Sequence, residues 1–159
     1  MANRLLCLYL TEAGMLSQRA KYALKAMICL AEHEGPAPLS VTDIAQRAAV
    51  PRAFLEQILS DLKRRNLLIS KRGKQGGFLL AREPDTVSFA EIIRNIDGPL
   101  ALAPCASRTA YRPCPECGDV LTCALRPTLI EARDATAEIL ERTKLSDILT
   151  ARALAADPA

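Results

Sequence analysis

A chain of 159 residues, 50% apolar and 25% charged with a net charge of only +3, is enough for one globular domain with an appended element. No run nears the ~18 apolar residues that a membrane-spanning helix needs, and six aromatics (three Tyr, three Phe, no Trp) argue against a base-stacking single-strand binder. Six cysteines without a convincing signal segment point to the reducing cytoplasm, where close cysteine spacing more often means metal or redox chemistry than structural disulfides.

The first fourteen residues stand apart. Leu5, Leu6, Cys7, Leu8, Tyr9 and Leu10 follow a single Arg4, a short apolar run with a poor cleavage site at Glu12-Ala13-Gly14. Residues 1–14 are therefore expected to be a non-native or disordered extension, with Met15 the working start and no role for Cys7. From Ser17 to His33, Ala20, Leu24, Met27, Ile28 and Ala31 mark the buried face of an amphipathic helix. Within it Cys29 reads as a small buried hydrophobe, and His33, before Gly35-Pro36, as a solvated residue at the helix end.

Ser40-Val41-Thr42-Asp43 has the form of a capping box and opens a short helix through Ala48, with Ile44, Ala45 and Ala48 as its apolar face. A second helix follows Pro51. Phe54, Leu55, Ile58, Leu59 and Leu62 recur at helical spacing as one buried arc, so Ala53, Glu56, Gln57, Ser60 and Arg64 face outward. Two helices joined by a short turn, the second bearing the exposed polar set, make a helix-turn-helix. Gln can read adenine and Glu the cytosine amino group, while Arg64 at the far end suits a phosphate. Glu56 is discordant, because a carboxylate near phosphate is repelled unless it reads a base.

Seven cations (Lys63, Arg64, Arg65, Lys71, Arg72, Lys74, Arg82) then fall between Lys63 and Arg82 without an acidic residue. Leu67-Leu68-Ile69 and Phe78-Leu79-Leu80 flank Ser70 to Gly77, a loop with three glycines and three cations, which predicts a hairpin with a basic tip. Glycine permits close approach to a minor groove, and Arg72 is the natural inserted side chain. The DNA-contacting set predicted from these elements is Ser40, Thr42, Arg52, Ala53, Glu56, Gln57, Ser60, Arg64, Arg72, Lys74 and Gly76.

Ser88 and Glu91 form a second capping box before a short helix with Phe89, Ile92, Ile93 and Ile96 inward, stopped by Asp97-Gly98-Pro99. Cys105, Cys114, Cys117 and Cys123 follow, with eight, two and five residues between successive thiols, in a stretch whose Pro and Gly favour turns. Three readings of these candidate ligands stay open. They could hold an iron-sulfur cluster; they could form a zinc site, although only Cys114-Cys117 is a zinc knuckle; or they could be a thiol switch without metal. From Leu121 to Arg142, Leu121, Leu125, Leu129, Ala132, Thr136 and Ile139 advance in steps of three and four along a long helix, whose proper start lies near Pro127. Such a seam predicts a partner: a homodimer, with packing within the chain against the first helix as the alternative. Leu145, Ile148 and Leu149 suggest a short closing helix, with Ala151 onward frayed.

Met15-Leu16-Ser17 leading to Tyr22-Ala23, the run Phe54-Leu55-Glu56-Gln57, the stretch Arg72-Gly73-Lys74-Gln75-Gly76-Gly77-Phe78, and a cysteine loop before a long helix together resemble the iron-sulfur-responsive winged-helix regulators of the IscR-like and NsrR-like type. The resemblance covers Met15 to about Leu149. It implies dimerisation through the long C-terminal helix, DNA contacts from the helix around Glu56 and Gln57 and from the wing arginine Arg72, and three cysteines holding a 2Fe-2S or 4Fe-4S cluster. Cys117 and Cys123 keep the five-residue spacing of such proteins. Cys105 stands farther off than their pattern has it, Cys114 is an extra candidate, and Arg126 stands where IscR-like proteins place a histidine ligand. A guanidinium is no ligand, so the fourth position falls to Cys114 or to another source such as the partner subunit.

The expected fold is mainly α: a winged helix-turn-helix with a small β-hairpin wing (15–100), a cysteine-bearing sensor loop (101–124), a dimerisation helix with a closing helix (125–151) and a frayed tail (152–159). The expected function is a DNA-binding transcriptional regulator, a repressor, whose affinity for a double-stranded operator is set by an iron-sulfur cluster sensing iron, redox or nitric oxide status. The rival is a zinc-stabilised or thiol-switch winged-helix regulator or scaffold. No enzyme is expected, nor a small-molecule substrate: the one histidine has no neighbouring nucleophile, and neither a phosphate loop nor paired carboxylates are present.

Overall fold

The computed structural model describes residues 16–33, 35–73, 75–114, 117 and 119–156, so the expectations for residues 1–14, Met15, Lys74 and the last three residues lie outside it. Helix α1 (Gln18–Ala31) starts at Ser17, whose Oγ accepts from the Ala20 N–H at 3.0 Å. Ala20, Met27 and Cys29 are buried as expected, but Ala23, Ala26 and Leu30 are buried too. Leu24, Ile28 and Ala31 are only partly buried at the edge of the arc. The small alanines let neighbouring helices approach α1 closely, which rotates the contact face toward them. His33, just past the helix end, is half-exposed, with its Nε2 2.8 Å from the Ala37 carbonyl.

Helix α2 (Val41–Arg47) carries the complete capping box: the Asp43 N–H donates to Ser40 Oγ and the Ser40 N–H to the Asp43 carboxylate. The turn into α3 (Arg52–Arg64) passes through Ala49 at φ 50°, a left-handed position that a side chain adopts at a cost of about 1 kcal/mol. On α3, Leu55, Ile58, Leu59 and Leu62 are buried and seat the helix against α1. Phe54 is not part of that arc. It is 60% exposed, with its ring 6.1 Å from that of Tyr22, because it lies at the border of the stripe where the period cannot separate edge from core.

Strands β1 (Leu68–Lys71) and β2 (Gly77–Leu80) pair antiparallel, Leu68 opposite Leu80 and Lys71 opposite Gly77. The chain entering α2 adds a further pairing, Leu39 with Phe78, through hydrogen bonds of 3.0 and 2.8 Å. That approach leaves no room at Gly77, where a Cβ would sit 2.2 Å from the Leu39 carbonyl oxygen. The wing is thereby fastened beside the N-terminus of α2.

Helix α4 (Phe89–Ile96) buries Ile92 and Ile93, with Phe89 and Ile96 packed at the margin of the core. Only half of its predicted capping box forms: Ser88 accepts from the Glu91 N–H at 3.2 Å, while the Glu91 carboxylate instead takes Arg82 at 2.5 Å. After a 3-10 turn at Pro104–Ala106, the long helix α5 runs Arg126–Arg142. It begins later than the apolar spacing suggests. Leu121 and Leu125 precede it and are 86% and 72% exposed, and Pro127 occupies its first turn. No residue of α5 is buried in the chain. Helix α6 (Leu145–Ala156) packs on α1, anchors the core through buried Leu145 and extends to Ala156, past the expected start of fraying.

Candidate nucleic-acid interface and thiol loop

Ala53, Glu56, Gln57, Ser60 and Arg64 are all exposed on one side of α3, opposite the buried leucine and isoleucine stripe. Their charges are not free, however. Glu56 pairs with Arg52 at 3.2 Å, which removes the repulsion a lone carboxylate would feel beside a phosphate backbone. Arg64 is held by Asp61, and so is Arg19 of α1; Gln57 Nε2 donates to the same carboxylate at 3.1 Å. Asp61, absent from the predicted set, is thus the hub of this face. Its role was unreadable because Arg19 comes from another helix, 42 residues away in sequence.

A second cluster forms beside the wing. Ser40, Thr42, Arg52, Arg72 and Gly76 line one open groove of about 450 Å³ between the start of α2 and the hairpin. The Ser40 hydroxyl is committed to capping α2, donating to Asp43 at 2.6 Å, and Asp43 is held below the usual carboxylate range by those Ser40 hydrogen bonds. Arg72 sits exposed at the base of a five-residue tip, turned by Gly73 at φ 109°, and among the described residues no acidic side chain pairs with it. By contrast Arg82, the last of the seven cations, is neutralised by Glu91.

The thiols divide. Cys114, Cys117 and Cys123 come together around Cys117, whose N–H closes a turn on the Cys114 carbonyl at 3.2 Å. The Cys117 thiol is pushed up to about 11, most strongly by its hydrogen bond with Cys114, with desolvation and Cys123 adding to it. Cys123 moves the other way: the Leu125 and Arg126 N–H groups at the start of α5 donate to its sulfur, and the Cys117 thiol and the Arg126 charge favour its thiolate further. Cys105 is buried in the Pro104–Ala106 turn and is not among the groups acting on Cys117 or Cys123. The Arg126 side chain, unfit as a ligand, donates from Nε to the Cys105 carbonyl at 3.1 Å, and Arg133, 11% exposed, donates to that of Ala106. Cys29, far from this loop on α1, has its thiol pushed up by burial.

The donor set is soft and thiolate-rich, as an iron-sulfur cluster or zinc requires. Among the described residues, though, no three His, Cys, Asp or Glu side chains are yet disposed to grip a metal ion. The sulfurs are gathered but not spread around a centre.

Residues 16–151 match the model of the Rrf2 family, described as an iron-dependent transcriptional regulator. The chain belongs to the Rrf2 family. An rrf2-like HTH-type transcriptional regulator from Rhodobacter capsulatus is 40% identical over 140 residues, covering 86% of this chain and 93% of that one. The structure of CymR, the global cysteine regulator of B. subtilis, superposes with a TM-score of 0.69 at 32% identity, over 85% of this chain and 95% of CymR. IscR of T. potens superposes at 0.72 with 26% identity, over 96% of both chains. These Rrf2 relatives are transcriptional regulators rather than enzymes, and the winged helix-turn-helix expected from sequence is their fold. The chain is therefore a DNA-binding transcriptional regulator of the Rrf2 family.

The opposed shifts at Cys117 and Cys123 set an order of reactivity, because the thiolate is the nucleophile. In reduced, metal-free protein at about pH 7–8, Cys123 keeps the larger thiolate fraction and should be alkylated by iodoacetamide before Cys117; the Cys117 rate should keep rising toward its value of about 11. Peptide mass spectrometry of timed samples measures both. Faster modification of Cys117 across that range contradicts the arrangement.

Proposed function

We propose that this Rrf2 regulator is a cytoplasmic homodimeric repressor whose operator affinity is set by an iron-sulfur cluster on the Cys105–Cys123 loop. The observation that carries the reading is the convergence of Cys114, Cys117 and Cys123 at the start of α5, with a thiolate already favoured at Cys123. These three would hold a 2Fe-2S or 4Fe-4S cluster, with Cys105 in the adjoining turn as the fourth thiolate. Bound there, the cluster supplies a centre that is gained, oxidised, nitrosylated or lost according to iron, redox or nitric oxide status. The chain's own residues supply the rest: Arg126 and Arg133 fasten the Cys105–Ala106 turn to α5, and Arg94 ties α4 to Glu141 of α5 at 2.5 Å.

The DNA end follows from the same geometry. Ala53, Gln57 and Ser60 on α3 enter a major groove, Glu56 with Arg52 reads or borders a base, and Arg64 reaches a phosphate by leaving Asp61. Arg72, with Lys74 and Gly76 beside it in the wing, reaches the adjacent minor groove, while Ser40 and Thr42 at the start of α2 meet the backbone. The unburied α5 supports a two-fold partner, so that two heads read two half-sites.

A second reading has an observation of its own. No three ligating groups are arrayed for a metal among the described residues, and a low thiol at Cys123 beside a high one at Cys117 suits a metal-free thiol switch. A structural zinc site on the same sulfurs is its variant. Protein purified without oxygen separates the three: the cluster reading predicts brown protein with iron and acid-labile sulfide, whereas colourless protein with one zinc per chain, or with neither metal, overturns it.

The DNA assignments are tested apart from the metal. Arg72→Ala should weaken binding across all sequences and lower the salt slope by about 1, whereas Gln57→Ala should chiefly change which base is preferred. Binding titrations at several salt concentrations and selection from random duplex DNA read these out; a Gln57→Ala selection matching the wild type contradicts its role.

A further inference from the structure

Asp61 lies on the flank of α3 next to the reading residues, its side chain only 12% exposed. Its carboxylate accepts from Arg19 of α1, from Arg64 three residues on, and from Gln57 Nε2 four residues back at 3.1 Å. The two guanidinium groups already outweigh its single negative charge. The neutral Gln57 amide therefore adds nothing to charge balance, and what the contact settles is orientation.

We propose that Asp61 is a specificity-determining residue: it positions the Gln57 amide for base reading, an inference that rests on the role of Gln57 proposed above. A solvent-exposed glutamine ordinarily samples several rotamers, and its amide turns freely between its two faces. The amide nitrogen carries two protons. One is donated to Asp61; the second, with Oε1, remains as the donor and acceptor pair that matches N7 and N6 of adenine. Flipping the amide would turn Oε1 toward a carboxylate, which can donate nothing to it and repels it. The nitrogen end is thus fixed before DNA arrives, and the entropy of choosing one face is lost on folding rather than on binding. Asp61 itself touches no base. Arg19, which stays on Asp61 when Arg64 turns to a phosphate, balances its charge against the phosphate backbone.

The test uses anaerobically purified full chain and a random-sequence duplex library, followed by titrations of the selected site and its single-base variants. Asp61→Ala should lower discrimination at the base read by Gln57 by about 5–10-fold, and it should do nothing further in a Gln57→Ala background. If Gln57→Ala alters base preference while Asp61→Ala leaves it intact, or acts equally with and without Gln57, this inference falls and the reading role of Gln57 stands. If Gln57→Ala itself leaves preference unchanged, both fall. Side-chain amide resonances of the wild-type chain give a check that needs no folded variant: one Gln57 Nε2 proton should be displaced downfield by the carboxylate, and a pair indistinguishable from free glutamine overturns the inference.

Discussion

The packing of one four-residue stripe governs the rest of the molecule. Leu55, Ile58, Leu59 and Leu62 are all fully or almost fully buried, and by burying them α3 gives up any freedom to turn about its own axis. Burial of such side chains is worth about 1.5–3 kcal/mol each, far more than the ion pairs on the opposite face, which at exposed sites contribute at most about 1 kcal/mol apiece. The core therefore decides which way Gln57 and Ser60 point. The ion pairs only decide how those side chains are held once there.

The thiol loop is connected to that core through α5. Arg126 and Arg133 take the carbonyls of Cys105 and Ala106, Arg94 joins α4 to α5, and the Ser17 hydroxyl donates to Asp97 at the end of α4 at 2.5 Å. Arg19 of α1 then reaches Asp61 beside Gln57. A coupling free energy of about 1–3 kcal/mol would suffice to change DNA affinity about 5–150-fold, within the reach of a small shift of α5 against α4. Under the proposed function, such a shift is what separates loaded from empty protein, and linkage requires that DNA alter cluster retention by the same factor.

Much of this was legible in the sequence, and the reasons are physical. The α2 capping box, the buried arc of α3 and the glycine-rich hairpin are written in residues a few positions apart, where local chemistry dominates. Phe54 lies at the border of that arc, where helical spacing cannot separate edge from core, and it is exposed. The start of α5 was signalled by Pro127 more faithfully than by the apolar step of Leu121 and Leu125. What could not be read were contacts between distant segments: Arg19 with Asp61, Leu39 against Gly77, and the Cys105 turn fastened to α5 by Arg126. Spacing put four thiols in one loop; only the fold shows that Cys105 is buried while Cys117 is exposed.

Under the proposed function, occupancy of the sulfur set and occupancy of the operator are coupled. The most direct measurement of that coupling is the Kd for one selected operator of cluster-loaded protein and of the same preparation stripped by chelation without oxygen, both held at the same oligomeric state and salt. Affinities differing by about 5–150-fold are expected. Equal affinities in the two states would contradict the coupling, however well both bind DNA.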